Sequence, residues 1–218
     1  MEFFLNILTP EAEIKRLILE EIKQQLKFKW SSLRLKLENA FKDYIELVIR
    51  ESDFYNNLLT GKLKTELGIV DPSLTMSQII DALKSTTIIN IGDIKIDGDK
   101  LQSIITFNAV PDDFGVVLSV PLAKYTSINV KGVETIVPWL FWVLFGGAEP
   151  IVYNYKIVFN QPYFSRTNDA IMRKKDGGTW SVPSQFAGTQ HDNFIFNALN
   201  NNIPQLENIL DTLLTREF

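Results

Sequence analysis

Apolar residues recur at steps of three and four along the first quarter of the chain. They fall at Ile14, Leu17, Ile18, Ile22, Leu26, Trp30, Leu33, Leu37, Phe41, Tyr44, Ile45 and Val48. That spacing holds one phase and predicts an amphipathic helix. No Pro or Gly interrupts residues 11–59. Thr9 suits the N-cap, Pro10 the first helical position, and Glu11 and Glu13 the positive end of the helix dipole. A continuous helix from residue 10 to about residue 50 runs on the order of 60 Å, with Ser31 and Ser32 the natural place for a bend. A helix this long exceeds what one compact domain of this size covers by itself. One long helix, its stripe partly buried against neighbouring subunits, is therefore favoured over a hairpin of two packed helices.

Residues 52–59 predict a short helix, Thr60 and Gly61 a turn, residues 67–72 a break and residues 75–84 another amphipathic helix. The period then changes from 3.6 to two. Residues 88–96 and 101–110 read as strands flanking an Asp97-Gly98-Asp99-Lys100 hairpin, and residues 116–120 as a further strand closed by Pro121. Pro138 opens a helix whose Trp139, Leu140, Trp142, Val143 and Phe145 cover most of its circumference, so it should be buried nearly all round. Residues 151–159 alternate as a strand, with residues 170–174 pairing beside them and Gly177-Gly178 forming a turn. Two helices close the chain, over residues 192–200 and 204–215, with Thr189 or Asp192 as cap of the first. The expected class is α+β: a long N-terminal amphipathic helix, an antiparallel sheet of four to five strands, and short packing helices at the C-terminus. Residues 1–60 form the helical arm and residues 61–218 the body, as one domain with a protruding helix.

Composition narrows the function. With 218 residues, 45% of them hydrophobic, the chain suffices for one sizeable core and a protrusion. The net charge of −4 and the lack of a basic cluster longer than Arg173-Lys174-Lys175 argue against general or sequence-specific nucleic-acid binding. The absence of cysteine excludes disulfides, thiol nucleophiles and thiolate metal sites, and suits a reducing cytosol. The opening MEFFLNILTP lacks the basic region of a signal peptide. The most apolar window, residues 136–147, falls short of the roughly 20 residues of a membrane span. A soluble protein with no membrane partner is expected.

No catalytic constellation emerges. The only histidine is His191, and Ser181 and Ser184 lie in no GxSxG context, so a serine triad has no frame. One His and no Cys cannot assemble a zinc site. The run Asp93-x-Lys95-x-Asp97-Gly98-Asp99 puts a lysine where a calcium loop needs an oxygen, and a hairpin turn accounts for it. Gly146-Gly147 and Gly177-Gly178 belong to no nucleotide-binding pattern, and Glu20-Glu21 and Asp112-Asp113 suit a solvated helix face and a turn. The expectation is a non-enzyme with no catalytic, cofactor-binding or metal-binding residues.

Three stretches are more distinctive. One is Val137-Pro138-Trp139-Leu140-x-Trp142-x-Leu144-x-x-Gly147 with the strand after it. Another joins Ser165-Arg166-Thr167 and Ile171-Met172 to Gly178-x-Trp180-x-Val182-Pro183-x-x-Phe186-Ala187-Gly188-Thr189 and Asp192-Asn193-Phe194-Ile195. The third is Ser52-x-x-Tyr55-x-x-Leu58-x-x-Gly61-x-Leu63-x-x-Glu66-Leu67-Gly68-Ile69. In that order they resemble virion structural proteins of tailed bacteriophages, of the neck class that joins head to tail or completes the tail. The resemblance covers roughly residues 50–200, and it departs at Phe141, where members of the class often carry an acidic residue.

The resemblance implies a homo-oligomeric ring of six or twelve copies, contacts with neighbouring neck, tail or portal-side proteins, and residence in the virion after synthesis in the host cytoplasm. Ring subunits need surfaces that bury apolar area between copies. The aromatic and loop residues proposed for that role are Trp30, Trp139, Trp142, Phe145, Trp180, Pro183, Phe186 and Gly188. A tail-terminator, tail-tube or baseplate subunit, and a non-virion assembly chaperone, are the alternatives.

Overall fold

A computed structural model describes residues 10–110, 114–129, 131–163 and 165–217. Helix α1, Glu11–Glu51, is one helix of 41 residues that passes unbroken through Ser31 and Ser32. Ion pairs one turn apart support its length, Lys15–Glu11 and Lys42–Glu38 at 2.7 Å and Arg50–Glu46 at 2.9 Å. Pro10 occupies the N-cap and makes no side-chain capping bond, while Thr9 lies outside the described residues.

The two halves of α1 have different fates. Leu33, Leu37, Phe41, Tyr44, Ile45, Val48 and Ile49 are buried in the core. Before Leu33 no residue of the helix is buried, and Leu17 and Ile18 keep about half their surface. The part that stands clear is therefore shorter than residues 1–60. Tyr55, Leu58, Leu63, Leu67 and Ile69 of the third motif pack into the core of the body. A division at residue 60 runs through this core.

Helix α2, Asp53–Thr60, is capped by the Ser52 side chain, which accepts from the Tyr55 amide. The short α3, Leu63–Glu66, ends at Gly68, whose φ of 71° no side chain favours. Helix α4, Pro72–Thr86, starts on an Asp71 cap to the Leu74 amide, with Pro72 in its first turn. It packs on α1, and Lys84 crosses to Glu46 at 2.6 Å.

The strands form four separate antiparallel ribbons among the described residues, where one sheet of four or five strands was expected. Strand β1, Ile88–Ile91, and the later β4, Ile105–Asn108, flank an inner pair, β2, Lys95–Asp97, and β3, Lys100–Gln102. The predicted hairpin is thus present but interrupted at Gly92, whose amide donates to the Ile104 carbonyl. Gly98 supplies the positive φ, 61°, that its tight turn requires. Residues 115–119 form helix α5, Gly115–Ser119, rather than a strand, followed by a 3-10 turn over Pro121–Ala123. Val117 is fully buried there, so packing overrides the β preference of a short valine run.

Strands β5, Tyr125–Ile128, and β6, Glu134–Val137, make a third ribbon that leads into helix α6, Trp139–Phe145. Strands β7, Val152–Phe159, and β8, Ala170–Trp180, make the longest ribbon. Gly177 and Gly178 lie inside β8 and not in a turn. Between the pairs Tyr153–Thr179 and Tyr155–Lys174, one residue of β7 faces four of β8. Gly177 at φ 70° and Asn154 at φ 61° take up the distortion of this bulge, and a Cβ on Gly178 would lie 2.6 Å from the Tyr155 carbonyl oxygen. Helices α7, Phe194–Asn201, and α8, Ile203–Glu217, close the fold against α1. The α7 cap is Asn193, which accepts from the amides of Ile195 and Phe196, in place of Thr189 or Asp192. The class is α+β, with a long leading helix, short antiparallel strand pairs and C-terminal helices.

Candidate assembly surfaces

Of the eight residues singled out for contact with other subunits, two are enclosed by the chain itself. Trp139 is 1% exposed, and its indole Nε1 donates to the Leu122 carbonyl at 2.7 Å. Its size serves this subunit's own core. Gly188 is buried because the backbone passes close to α6: its amide donates to the Val143 carbonyl, and its own carbonyl accepts from the Gly147 amide, both at 2.9 Å. A Cβ there would meet the Val143 oxygen at 2.5 Å and the Asn193 Cβ at 2.6 Å.

The other six are half-buried, with one side against the core and one side presented. Trp142 and Trp180 meet edge to face at 6.1 Å, which ties the end of β8 to α6. Phe145 packs on Phe114 at 5.7 Å, and Phe186 on Phe54 at 5.9 Å. Pro183 accepts from the Phe186 amide and so sets the turn that carries Phe186 inward. Trp30 stands where α1 leaves the body; its Nε1 is buried and finds no partner among the described residues. Helix α6 is not buried all round. Trp139, Leu140, Val143 and Leu144 point inward, whereas Phe141 keeps 47% of its surface. It is the position where the resembled class often carries an acid, and an exposed ring there is the less expected residue.

The motif stretches converge although they are distant in sequence. Arg166 donates from Nε to the Gly68 carbonyl at 2.9 Å and lies 4.1 Å over the Tyr125 ring. Thr65 donates to Asp169 at 3.0 Å. A Cβ on Gly68 would collide with the Tyr125 hydroxyl. Burial pushes the Tyr125 hydroxyl pKa up, with Arg166 partly opposing it, and burial also raises the Glu66 carboxyl. Part of each motif thus serves packing: Leu67, Leu140, Leu144, Val182 and Ile195 have almost no exposed surface.

A groove of about 470 Å³ lies between the C-terminal end of α1, the start of α2, residues 185–188 and α7, with Glu51, Asp53 and Asp192 among its walls. Among the described residues no group of three His, Asp or Glu side chains is placed to hold a metal ion. His191 is exposed beside Phe196, 6.5 Å from its ring. Among the described residues no helix is long and apolar enough to cross a membrane.

The sequence predicts that the α1 stripe is partly left for neighbouring subunits, without saying which part. The half of α1 before Leu33 carries a shallow apolar strip over Ile14, Leu17, Ile18 and Ile22. The stripe was visible, but not which part of it the body would cover. The chain matches no protein-family model, no curated protein and no solved structure.

Proposed function

We propose that the chain is a structural subunit of a tailed-phage neck, forming a ring that joins head to tail or completes the tail. The observation that carries the assembly half of this reading is the uncovered α1 strip, where Leu17, Ile18 and Ile22 are 54%, 52% and 41% exposed. A helix face of this kind gains by burial against another chain, at about 25 cal/mol per Å² of apolar surface. The exposed Phe141 and the half-buried Trp142 and Trp180 add a second patch. The four ribbons leave strand edges open to pairing. The phage half rests on the resemblance of residues 50–200.

Locating the subunit in a cryo-EM map of intact particles tests the reading. Density for six or twelve copies between portal and tail is the expected outcome. Placement in the tail tube or baseplate would replace it, and absence from purified virions by mass spectrometry would favour an assembly chaperone. A Trp180→Ala/Phe186→Ala double variant should release the loop over residues 181–193 and yield particles that join tails poorly. Normal joining would remove that loop from the docking role.

A further inference from the structure

The exposed half of α1 is built to match itself when reversed. At about 100° per residue, Ile18 and Ile22 lie about 40° apart around the helix, and Glu11 and Lys29 fall on the line midway between them. Ile14 and Leu26 lie about 60° to either side of that line. In sequence, each of the pairs Glu11 with Lys29, Ile14 with Leu26, and Ile18 with Ile22 is centred on Glu20. Glu20 itself points to the opposite side of the helix.

A twofold rotation about that line at Glu20 therefore lays a second α1 antiparallel on the first. Ile14 meets Leu26, Ile18 meets Ile22, and Glu11 meets Lys29. A parallel pair would set Glu11 against Glu11 and Lys29 against Lys29. The charge blocks favour the same direction. Within the overlap, residues 11–21 hold four acids and two bases, whereas residues 22–29 hold three bases and no acid. Reversal sets an acidic end beside a basic stem at both ends of the overlap. The overlap ends at Lys29, next to Trp30 where the helix enters the body, so the two bodies sit at opposite ends.

We infer that residues 11–29 of α1 bind the same residues of a second copy of this chain, antiparallel, through Ile14, Ile18, Ile22 and Leu26. The overlap is about 28 Å long, too short for the standard interface of about 800 Å² per partner. The pair is consequently weak and forms with rising concentration. It closes on itself and builds no ring; it takes the same strip that the ring reading draws on, so the two cannot occupy that face at once, and each has its own test.

Sedimentation equilibrium of the full chain should show a monomer–dimer equilibrium, and a monomer at every concentration overturns the inference. Ile18→Asn should raise the dimer Kd on the order of a hundredfold, with an unchanged circular dichroism spectrum because the site is exposed in the monomer. An unchanged Kd counts against the site. Glu11→Lys should weaken the pair, and adding Lys29→Glu in the same chain should restore it. Direction is read by cross-linking, since the chain has no cysteine of its own. Ile14→Cys mixed with Leu26→Cys should join through a thiol linker too short for the about 18 Å between two Ile14 sites of an antiparallel pair. Self-linking of Ile14→Cys would mean a parallel pair and overturn the proposal.

Discussion

The two halves of α1 share one helix, one spacing of apolar residues and similar intrahelical ion pairs, yet only one half belongs to the core. From Leu33 to Ile49 the inward stripe, Leu33, Leu37, Phe41, Tyr44, Ile45, Val48 and Ile49, is buried, with α4, α7, α8 and β1 packed against the helix, while Leu35 and Leu47 stay exposed. From Ile14 to Leu26 none is buried. Helical periodicity therefore states that a face will be covered by something, but leaves open whether the cover is the same chain. The ion pairs differ in the same way. Glu46 accepts from both Arg50 and the α4 residue Lys84, while among the described residues Glu11 pairs with Lys15 on its own exposed helix.

The largest expected difference between the halves is in truncation. Leu37→Ala should cost about 2–5 kcal/mol of stability in urea unfolding, because it opens a cavity in a packed core. Ile18→Ala, measured at concentrations where the chain is monomeric, should stay within about 0.5 kcal/mol. Comparable losses at both sites would mean that the arm is covered within one subunit.

The two tryptophans sharpen the contrast on a smaller scale. Trp139→Phe abandons a buried hydrogen bond and leaves the Leu122 carbonyl without its donor, so it should cost about 1–3 kcal/mol beyond the loss of packing. Trp30→Phe removes an N–H that has no described partner and should lack that extra cost. Both are read by thermal unfolding, and equal losses would show that the Trp30 N–H is satisfied. Next in size, Asn193→Ala should cost about 1 kcal/mol by removing the α7 cap.

The smallest effect is electrostatic. Hydrogen bonds from Lys84 and Arg50 lower the Glu46 carboxyl pKa. A carboxyl whose folded pKa is depressed stabilises the fold above its unfolded pKa, and that contribution disappears as pH falls through the folded value. Glu46→Gln should therefore be less stable than the parent at neutral pH, by under about 1 kcal/mol given its partial exposure. The two should converge in acid.

Much of the fold was legible in local sequence. The α1 repeat, the Asp97–Lys100 turn and the α6 start after Pro138 all appear where their residues predict, as does the pairing of residues 170–174 beside β7. The first three depend on contacts within a few positions along the chain, and the last on two neighbouring segments whose partners lie 11 to 19 positions apart. The errors share an origin. Residues 116–120 look like a strand, but Val117 is drawn into the core as part of a helix. Gly177-Gly178 looks like a turn, but β7 continues past it and makes it a bulge. The candidate surface was legible in the same partial way, since aromatic residues announce burial without saying whose core receives them. Trp139 faces inward, and Phe141, the point of departure from the resembled class, faces out.

By itself, then, the sequence determined where most of the helices and the Asp97–Lys100 turn form and which faces are apolar, because propensity, capping and periodicity act over short range. Only the tertiary structure decided which apolar faces this chain covers, that its strands pair two by two, and that the first half of α1 stays bare. Those outcomes depend on which distant segments arrive at each face. Burial is a property of the packed neighbours, and no residue carries it alone.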